Sequence, residues 1–235
     1  MVSLSKVLKG IYRLVPPTFR KSWPVLAIRA FMYENVLNHD TIYSAHYYES
    51  TVEGPAVASA ETISESILVD HGLGTVIDVG CGTGALLEAL RNKGREVFGL
   101  ESSAAALEYC KGRKLDVQKL DLEREPFPQD GKFDLVVSME VAEHLPEQIA
   151  DSYVDLLTRL SDRILFTAAL PGQGGDDHVN EQPISYWMSN FQARRFSSDE
   201  NLASRWSSAW RVTGVVASFY HANLMIFRRN QNTLP

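Results

Sequence analysis

Cysteine is nearly missing from this 235-residue chain: Cys81 and Cys110 are the two in all, and they give neither a disulfide framework nor the paired spacing of a structural metal site. No apolar run approaches the length of a membrane-crossing helix. The first thirty residues lack the compact apolar block and small-residue cleavage site of a secretory leader, so a reducing, cytoplasmic setting is expected. Internal repeats and low-complexity tracts are also lacking, which excludes solenoid and fibrous architectures. Acidic side chains are missing altogether from residues 1–33, which carry Lys6, Lys9, Arg13, Arg20, Lys21 and Arg29. The remainder holds 17 basic against 29 acidic side chains, a balance of −12. Such a body repels a polyanion, and no nucleic-acid partner is expected.

An apolar content of 45% over this length suits one domain of ordinary size with an extension. Residues 1–52 read as a basic and aromatic helical extension, and residues 53–230 as the domain. The extension opens with a helical pattern, apolar at Leu4, Val7, Leu8, Ile11 and Val15, which Pro16-Pro17 ends. A second helix is expected between Pro24 and Leu37. One reading of residues 1–17 is peripheral contact with an anionic membrane; the other is a helix packed on the domain or serving as a lid. Tyr43, His46, Tyr47 and Tyr48 come just before the first helix of the domain, placed either to cover a site or simply to pack.

The domain is organised around Thr75 to Gly84, TVIDVGCGTG. A β-branched run (Thr75, Val76, Ile77, Val79) reads as a buried strand, and Gly80, Gly82 and Gly84 break it into a tight turn. Helix formers follow from Ala85 to Leu90, and Lys93-Gly94 stops them. Strand, glycine turn and helix N-terminus leave bare backbone amides where a nucleotide-like ligand can approach. Asp78 sits just inside the strand end, where a carboxylate has no packing value. The next strand, Arg95 to Leu100, leads to Glu101, about 20 residues past the first glycine, where α/β nucleotide folds place a ribose-binding acid. Further strands are expected around Val117–Leu120, Phe133–Ser138 and Arg163–Ala168, alternating with helices. That alternation requires a parallel sheet with right-handed crossovers, and its ligands bind beyond the carboxyl ends of the strands. A polar, glycine-rich loop from Leu170 to Pro183 follows the fifth strand and precedes an aromatic helix with Tyr186, Trp187 and Phe191. It reads as a substrate-recognition loop, or as a solvent-exposed connection. A capping box at Ser197 and Glu200 opens a helix ending near Trp210. Two short strands are expected at Val215–Phe219 and Leu224–Phe227.

The segment VIDVGCGTG resembles motif I of the class I S-adenosylmethionine (SAM) methyltransferases, and its third glycine falls one position earlier than in the dinucleotide fingerprint. The resemblance covers about residues 53–228. It implies an α/β, Rossmann-like fold: a seven-stranded, mostly parallel sheet in the order 3-2-1-4-5-7-6, strand 7 antiparallel, with helices on both faces. It also implies a SAM site built from Asp78, Gly80, Cys81, Gly82, Gly84, Glu101, Ser102, Asp121, Leu122, Met139 and Glu140. In that site Glu101 meets the ribose hydroxyls, Asp121 the adenine amino group, and Leu122 lies near the ring. The chemistry implied is transfer of the sulfonium methyl, with a hydroxyl of a saccharide, lipid-linked glycan or quinone-like phenol as the leading acceptor. Transfer to nitrogen or carbon, a nucleotide-binding oxidoreductase and a non-catalytic SAM binder are the alternatives.

Met139 to Leu145 (MEVAEHL) is similar to the ExxEHL form of the family's motif IV. Glu140, Glu143 and His144 with the later His178 resemble the divalent-metal set of the small-RNA 2′-O-methyltransferases, and the first part resembles that of some ubiquinone-pathway O-methyltransferases. The resemblance implies Mg²⁺ or Mn²⁺ at these four residues. Its alternatives are metal-free catalysis, with His178 as general base or substrate ligand and Glu140 and His144 beside it, and a purely structural role.

Overall fold

The computed structural model describes residues 43–72, 74–124 and 132–231. The two N-terminal helices and the membrane contact read from residues 1–17 lie outside the described residues. A helical lead-in, Ala45–Tyr47 followed by a π-helical turn Tyr48–Val52, runs without a break into α1 (Glu53–His71). The tyrosine segment is therefore helical, and the chain enters the domain as one helical stretch.

The elements then alternate: β1 (Thr75–Val79), α2 (Ala85–Asn92), β2 (Glu96–Glu101), α3 (Ala104–Gly112), β3 (Val117–Lys119), β4 (Leu135–Met139), α4 (Ala150–Leu160) and β5 (Arg163–Thr167). The last part comprises α5 (Ile184–Gln192), β6 (Phe196–Ser198), α6 (Glu200–Thr213), α7 (Ser218–Ala222) and β7 (Met225–Arg229). The seven strands form one sheet in the order β3-β2-β1-β4-β5-β7-β6. β1 to β5 pair in parallel, and β7 is antiparallel to both β5 and β6. This is the expected order, with β7 antiparallel as expected.

Side chains alternate across the sheet with period two, so each central strand feeds two cores. Ile77, Val79, Val136, Ile164, Phe166 and Phe227 point to the face covered by α4 and α5, where they meet Tyr153, Leu157, Trp187 and Phe191. Val76, Leu135, Val137, Leu165 and Ile226 point to the other face, against Ile63 and Ile67 of α1 and Leu202, Trp206 and Trp210 of α6. The first core closes on an aromatic stack, Phe191 on Phe227 with ring centroids 3.9 Å apart, and Phe166 edge-on to Phe191 at 5.4 Å.

The sixth strand is not where β-branched composition places it. Val215–Phe219 is no strand: Gly214 ends α6 in the left-handed conformation, and residues from Ser218 form α7. Val215 is exposed, and the Ala217 amide donates to Ser59 Oγ of α1, not to a neighbouring strand. The free edge of β7 is taken instead by Phe196–Ser198, with Ser197 opposite Arg228. Ser197 is thereby committed to the sheet and cannot cap a helix. Asp199 does so, its Oδ1 accepting the Leu202 amide at 3.0 Å. The strand exchange lies on the edge away from the site, which the carboxyl ends of β1, β2 and β4 position, whereas α7 brings Phe219 and Tyr220 to it.

Candidate active site

The three glycines of the turn after β1 are all left-handed, at φ 79, 54 and 76° for Gly80, Gly82 and Gly84. Each has a different neighbour. A Cβ at Gly80 would lie 2.5 Å from Val141 Cγ2, and one at Gly84 would lie 2.5 Å from Leu115 Cδ1 and 3.0 Å from Cys110 Sγ. At Gly82 the nearest atom would be Val52 Cγ1 at 4.0 Å, so the missing side chain there opens onto space. That space is a cleft of about 390 Å³ beyond the carboxyl ends of the parallel strands.

Glu101, at the end of β2, holds the turn in place. Its Oε2 accepts the Gly82 amide at 2.8 Å, and its Oε1 accepts the Ser102 and Ser103 amides, each at 2.8 Å. Burial pushes its carboxyl upward, and the three amides pull it back. Asp78 lies beside it, 6% exposed, with no hydrogen-bond donor among the described residues. Burial, and then the charge of Glu101, push the Asp78 carboxyl up to about 8. A buried carboxyl without a donor is poised to receive a cation. Asp121 reaches the cleft after β3, with its Oδ1 accepting the Glu123 amide at 3.0 Å, and Leu122 packs beside it on the first core.

The far end of the cleft is built from side chains. Glu140 follows β4 in the left-handed region at φ 55°, a conformation costing a non-glycine residue about 1–2 kcal/mol. Its amide donates to Thr167 Oγ1 at 2.9 Å, while its carboxylate accepts Asn223 Nδ2 at 3.1 Å and Gln173 Nε2 at 3.5 Å. Glu143 is fully buried, and neither carboxyl oxygen has a hydrogen-bond partner. Burial and the neighbouring Glu140 hold its carboxyl well above the usual carboxylate range. His144 and His178 pack edge to face with ring centroids 5.0 Å apart. Tyr43 Oη meets His144 Nδ1 at 3.1 Å, and Glu181 Oε1 meets His178 Nδ1 at 3.0 Å. Tyr47 and Tyr220 complete the wall, and the Tyr47 hydroxyl is pushed up to about 12 by burial and then by Asp176, Asp177 and Glu143.

Nearly all the residues singled out in the sequence converge on this cleft: Asp78, Gly80, Cys81, Gly82, Glu101, Ser102, Asp121, Leu122, Met139, Glu140, Glu143, His144 and His178 all line it. Gly84 does not; it is a packing glycine under α3. Within the four residues read as a metal set, donor atoms of Glu143, His144 and His178 lie within 4.8 Å of one another, whereas the Glu140 carboxylate is turned to Asn223 and Gln173. Gln173, Glu181, Tyr220 and Asn223 were not anticipated. Gln173 and Glu181 belong to the polar loop already marked for recognition, but Tyr220 and Asn223 sit in the connection read between the last two strands.

A family profile described as "Methyltransferase domain" matches residues 77–159, from β1 to α4. Over these residues the chain is similar to a methyltransferase domain. Over 78 residues the chain is 37% identical to a ubiquinone biosynthesis O-methyltransferase of Thiobacillus denitrificans, covering 31% of this chain and 34% of that one. It is 41% identical over 83 residues to a probable chloroplastic tocopherol O-methyltransferase of Oryza sativa, covering 32% and 23%. The alignments thus span about a third or less of these relatives' length. Among solved structures, magnesium protoporphyrin IX methyltransferase from Synechocystis PCC 6803 with bound SAH is similar at a TM-score of 0.59 and 16% identity, covering 87% of this chain and 99% of that one. The 1,6-didemethyltoxoflavin-N1-methyltransferase of Burkholderia thailandensis is similar at 0.57 and 14% identity, covering 85% and 89%. At those identities the likeness is one of fold.

The glycine geometry separates ligand space from packing space. Gly82→Val should fold, at a cost of about 1–2 kcal/mol for its left-handed backbone, and lose SAM binding because the side chain enters the cleft. Gly84→Val should lose stability more heavily, since its side chain meets Leu115 and Cys110. Chemical denaturation and titration calorimetry with SAM measure the two effects, and equal losses of stability in the two variants would contradict the division.

Proposed function

We propose that the protein binds SAM across Asp78, Gly82, Glu101 and Asp121 and transfers its methyl group to a hydroxyl of a small molecule held among Tyr47, His144, His178 and Tyr220. The observation that carries this reading is the continuity of the cleft, from the amide-lined glycine turn to two histidines and a tyrosine wall. The methionine ammonium would pair with Asp78, the one buried carboxyl at this end without a donor. The ribose hydroxyls would share Glu101, whose Oε2 accepts one amide and has a lone pair to spare. The adenine would lie against Leu122 with its amino group toward Asp121. At the other end the protein's work is alignment of nucleophile, methyl carbon and sulfur, and removal of the hydroxyl proton. His178, which lines the cleft, would take that proton. The relatives named as O-methyltransferases of ubiquinone biosynthesis and tocopherol support a phenolic hydroxyl as acceptor.

A second reading is favoured by one observation: the two partnerless oxygens of buried Glu143 lie beside His144 and His178, whose Nδ1 atoms are already held by Tyr43 and Glu181. Carboxylate and imidazole donors with supported rings suit a divalent ion such as Mn²⁺. Bound there, such an ion would supply positive charge that favours the ionised acceptor hydroxyl.

Labelled methyl-SAM incubated with phenols, catechols and saccharides should yield labelled product from at least one hydroxyl class. His178→Ala should then lower kcat about 10²-fold or more with SAM affinity kept; unchanged kcat would leave His178 without a chemical role. Chelation divides the two readings: turnover lost to EDTA and restored by Mn²⁺ or Mg²⁺ selects the ion, whereas full turnover under EDTA selects the metal-free base.

A pH dependence follows from Asp78. With its folded value raised from 3.8 to about 8, the ligand-free fold binds the extra proton and loses stability as pH rises through that window. SAM needs the ionised form, so its binding should release a proton below about pH 8 and weaken by up to about tenfold per pH unit as pH falls. Calorimetry in buffers of different ionisation enthalpy counts the proton. Asp78→Asn should bind SAM more weakly and release none.

A further inference from the structure

Glu181 has no part in the chemistry above, yet its carboxylate gathers three partners within the polar loop. Its Oε2 accepts the Gly172 amide at 2.8 Å, and its Oε1 accepts the Gly174 amide at 2.7 Å and meets His178 Nδ1 at 3.0 Å. The carboxylate and the imidazole are largely enclosed, at 19% and 12% side-chain exposure. Backbone amides can only donate, and an ionised carboxylate can only accept. Nδ1 must therefore be the protonated nitrogen, which leaves the neutral ring with its lone pair on Nε2. The other side of the ring is fitted as closely. A Cβ at residue 175 would lie 2.2 Å from Nε2, 2.5 Å from Cε1 and 2.7 Å from Cδ2, so Gly175 is required by the imidazole; its own φ lies outside the left-handed region.

We propose that Glu181 is the positioning residue of the acceptor site: one carboxylate closes the loop after β5 on the Gly172 and Gly174 amides and in the same act turns the His178 lone pair outward as Nε2. The use of that lone pair, on a hydroxyl proton or on a metal ion, rests on the reading proposed above. The coupling itself needs no acceptor. A loop clip alone would call for any acceptor of amide hydrogens, whereas orientation of an imidazole requires an acceptor-only group at Nδ1.

The test is the long-range ¹H–¹⁵N spectrum of the imidazoles in the ¹⁵N-labelled full chain with SAH, recorded at about pH 8.5 where an ordinary imidazole is neutral. Loss of signals in His178→Ala assigns the ring. Wild-type His178 should show a pyrrole-like Nδ1 and a pyridine-like Nε2. In Glu181→Gln one carboxamide oxygen must serve three donors while the NH₂ group faces them, so a fraction protonated at Nε2 should appear, and it should be larger in Glu181→Ala. Gly175→Ala, which leaves Glu181 untouched, should shift the same resonances by displacing the ring. SAM affinity in the Glu181 variants should stay within about threefold of wild type, a change under 1 kcal/mol, because the cofactor end is built elsewhere. A wild-type ring protonated at Nε2, or an unchanged tautomer in both Glu181 variants, overturns the proposal. Failure of the methyl-transfer reading would show separately, as absence of SAM binding in wild-type protein whose His178 spectrum is as described.

Discussion

The carboxylate of Glu101 is the contact on which the rest of the site depends. By accepting the amides of Gly82, Ser102 and Ser103 it ties the turn after β1 to the start of α3, two segments that the sheet alone would leave at the ends of neighbouring strands. A buried carboxylate is costly to desolvate, and these charge-assisted bonds offset that cost only while the turn keeps its shape. The constraint continues outward. Ser103 Oγ accepts the Ala106 amide at the N-terminus of α3 and donates to the Tyr43 carbonyl at 3.1 Å, and the Tyr43 hydroxyl reaches His144. A chain of bonds thus links the cofactor turn to the helical lead-in and from there to the acceptor end.

Glu140 stands at the same point of the neighbouring strand and carries strain. Its left-handed backbone costs about 1–2 kcal/mol, against which it gains hydrogen bonds from Asn223 and Gln173. Asn223 is fully buried and also donates to Gln173 Oε1 at 3.0 Å. Three segments distant in sequence, after β4, after β5 and after α7, are therefore held together by one carboxylate and two carboxamides. Strain retained at the mouth of a cleft, and supported by its surroundings, is the pattern of a residue kept for its position.

The cofactor end was readable in the sequence because backbone makes it. A glycine triplet, a β-branched strand and an acid about 20 residues on are local patterns, and the structure brings Asp78, Gly80, Gly82 and Glu101 together as those patterns require. The same logic misplaced Gly84, since spacing cannot tell a glycine facing a ligand from one facing Leu115. At the far edge Val215-Val216 carries strand propensity, but Phe196–Ser198 outcompetes it for β7 through a tertiary contact that no local window contains. Tyr220 and Asn223, read as a connection between strands, came to the cleft wall and to Glu140 through that same rearrangement. Glu181 was invisible for a simpler reason: a glutamate in a polar loop looks like solvent-facing charge until its amide donors are in place.

The two ends of the cleft are built from different materials, and this explains why one end was more legible in the sequence than the other. At the end near the glycine turn, the cleft is lined by main-chain amides and by acids at the ends of packed strands, so most substitutions that alter it also alter the fold. At the acceptor end, each contact is a side chain on an irregular segment: Tyr47 in the lead-in, His144 in a short 3₁₀ turn, His178 in a loop and Tyr220 on a five-residue helix. Those segments are held by side-chain bonds such as Glu181 to Gly172 and Gly174, or Glu140 to Asn223, which can be rebuilt without disturbing the sheet. On the reading proposed above, the second end can therefore change while the first stays constant. The profile match covers β1 to α4 and ends before the loop that carries His178 and Glu181, where that change would be expected.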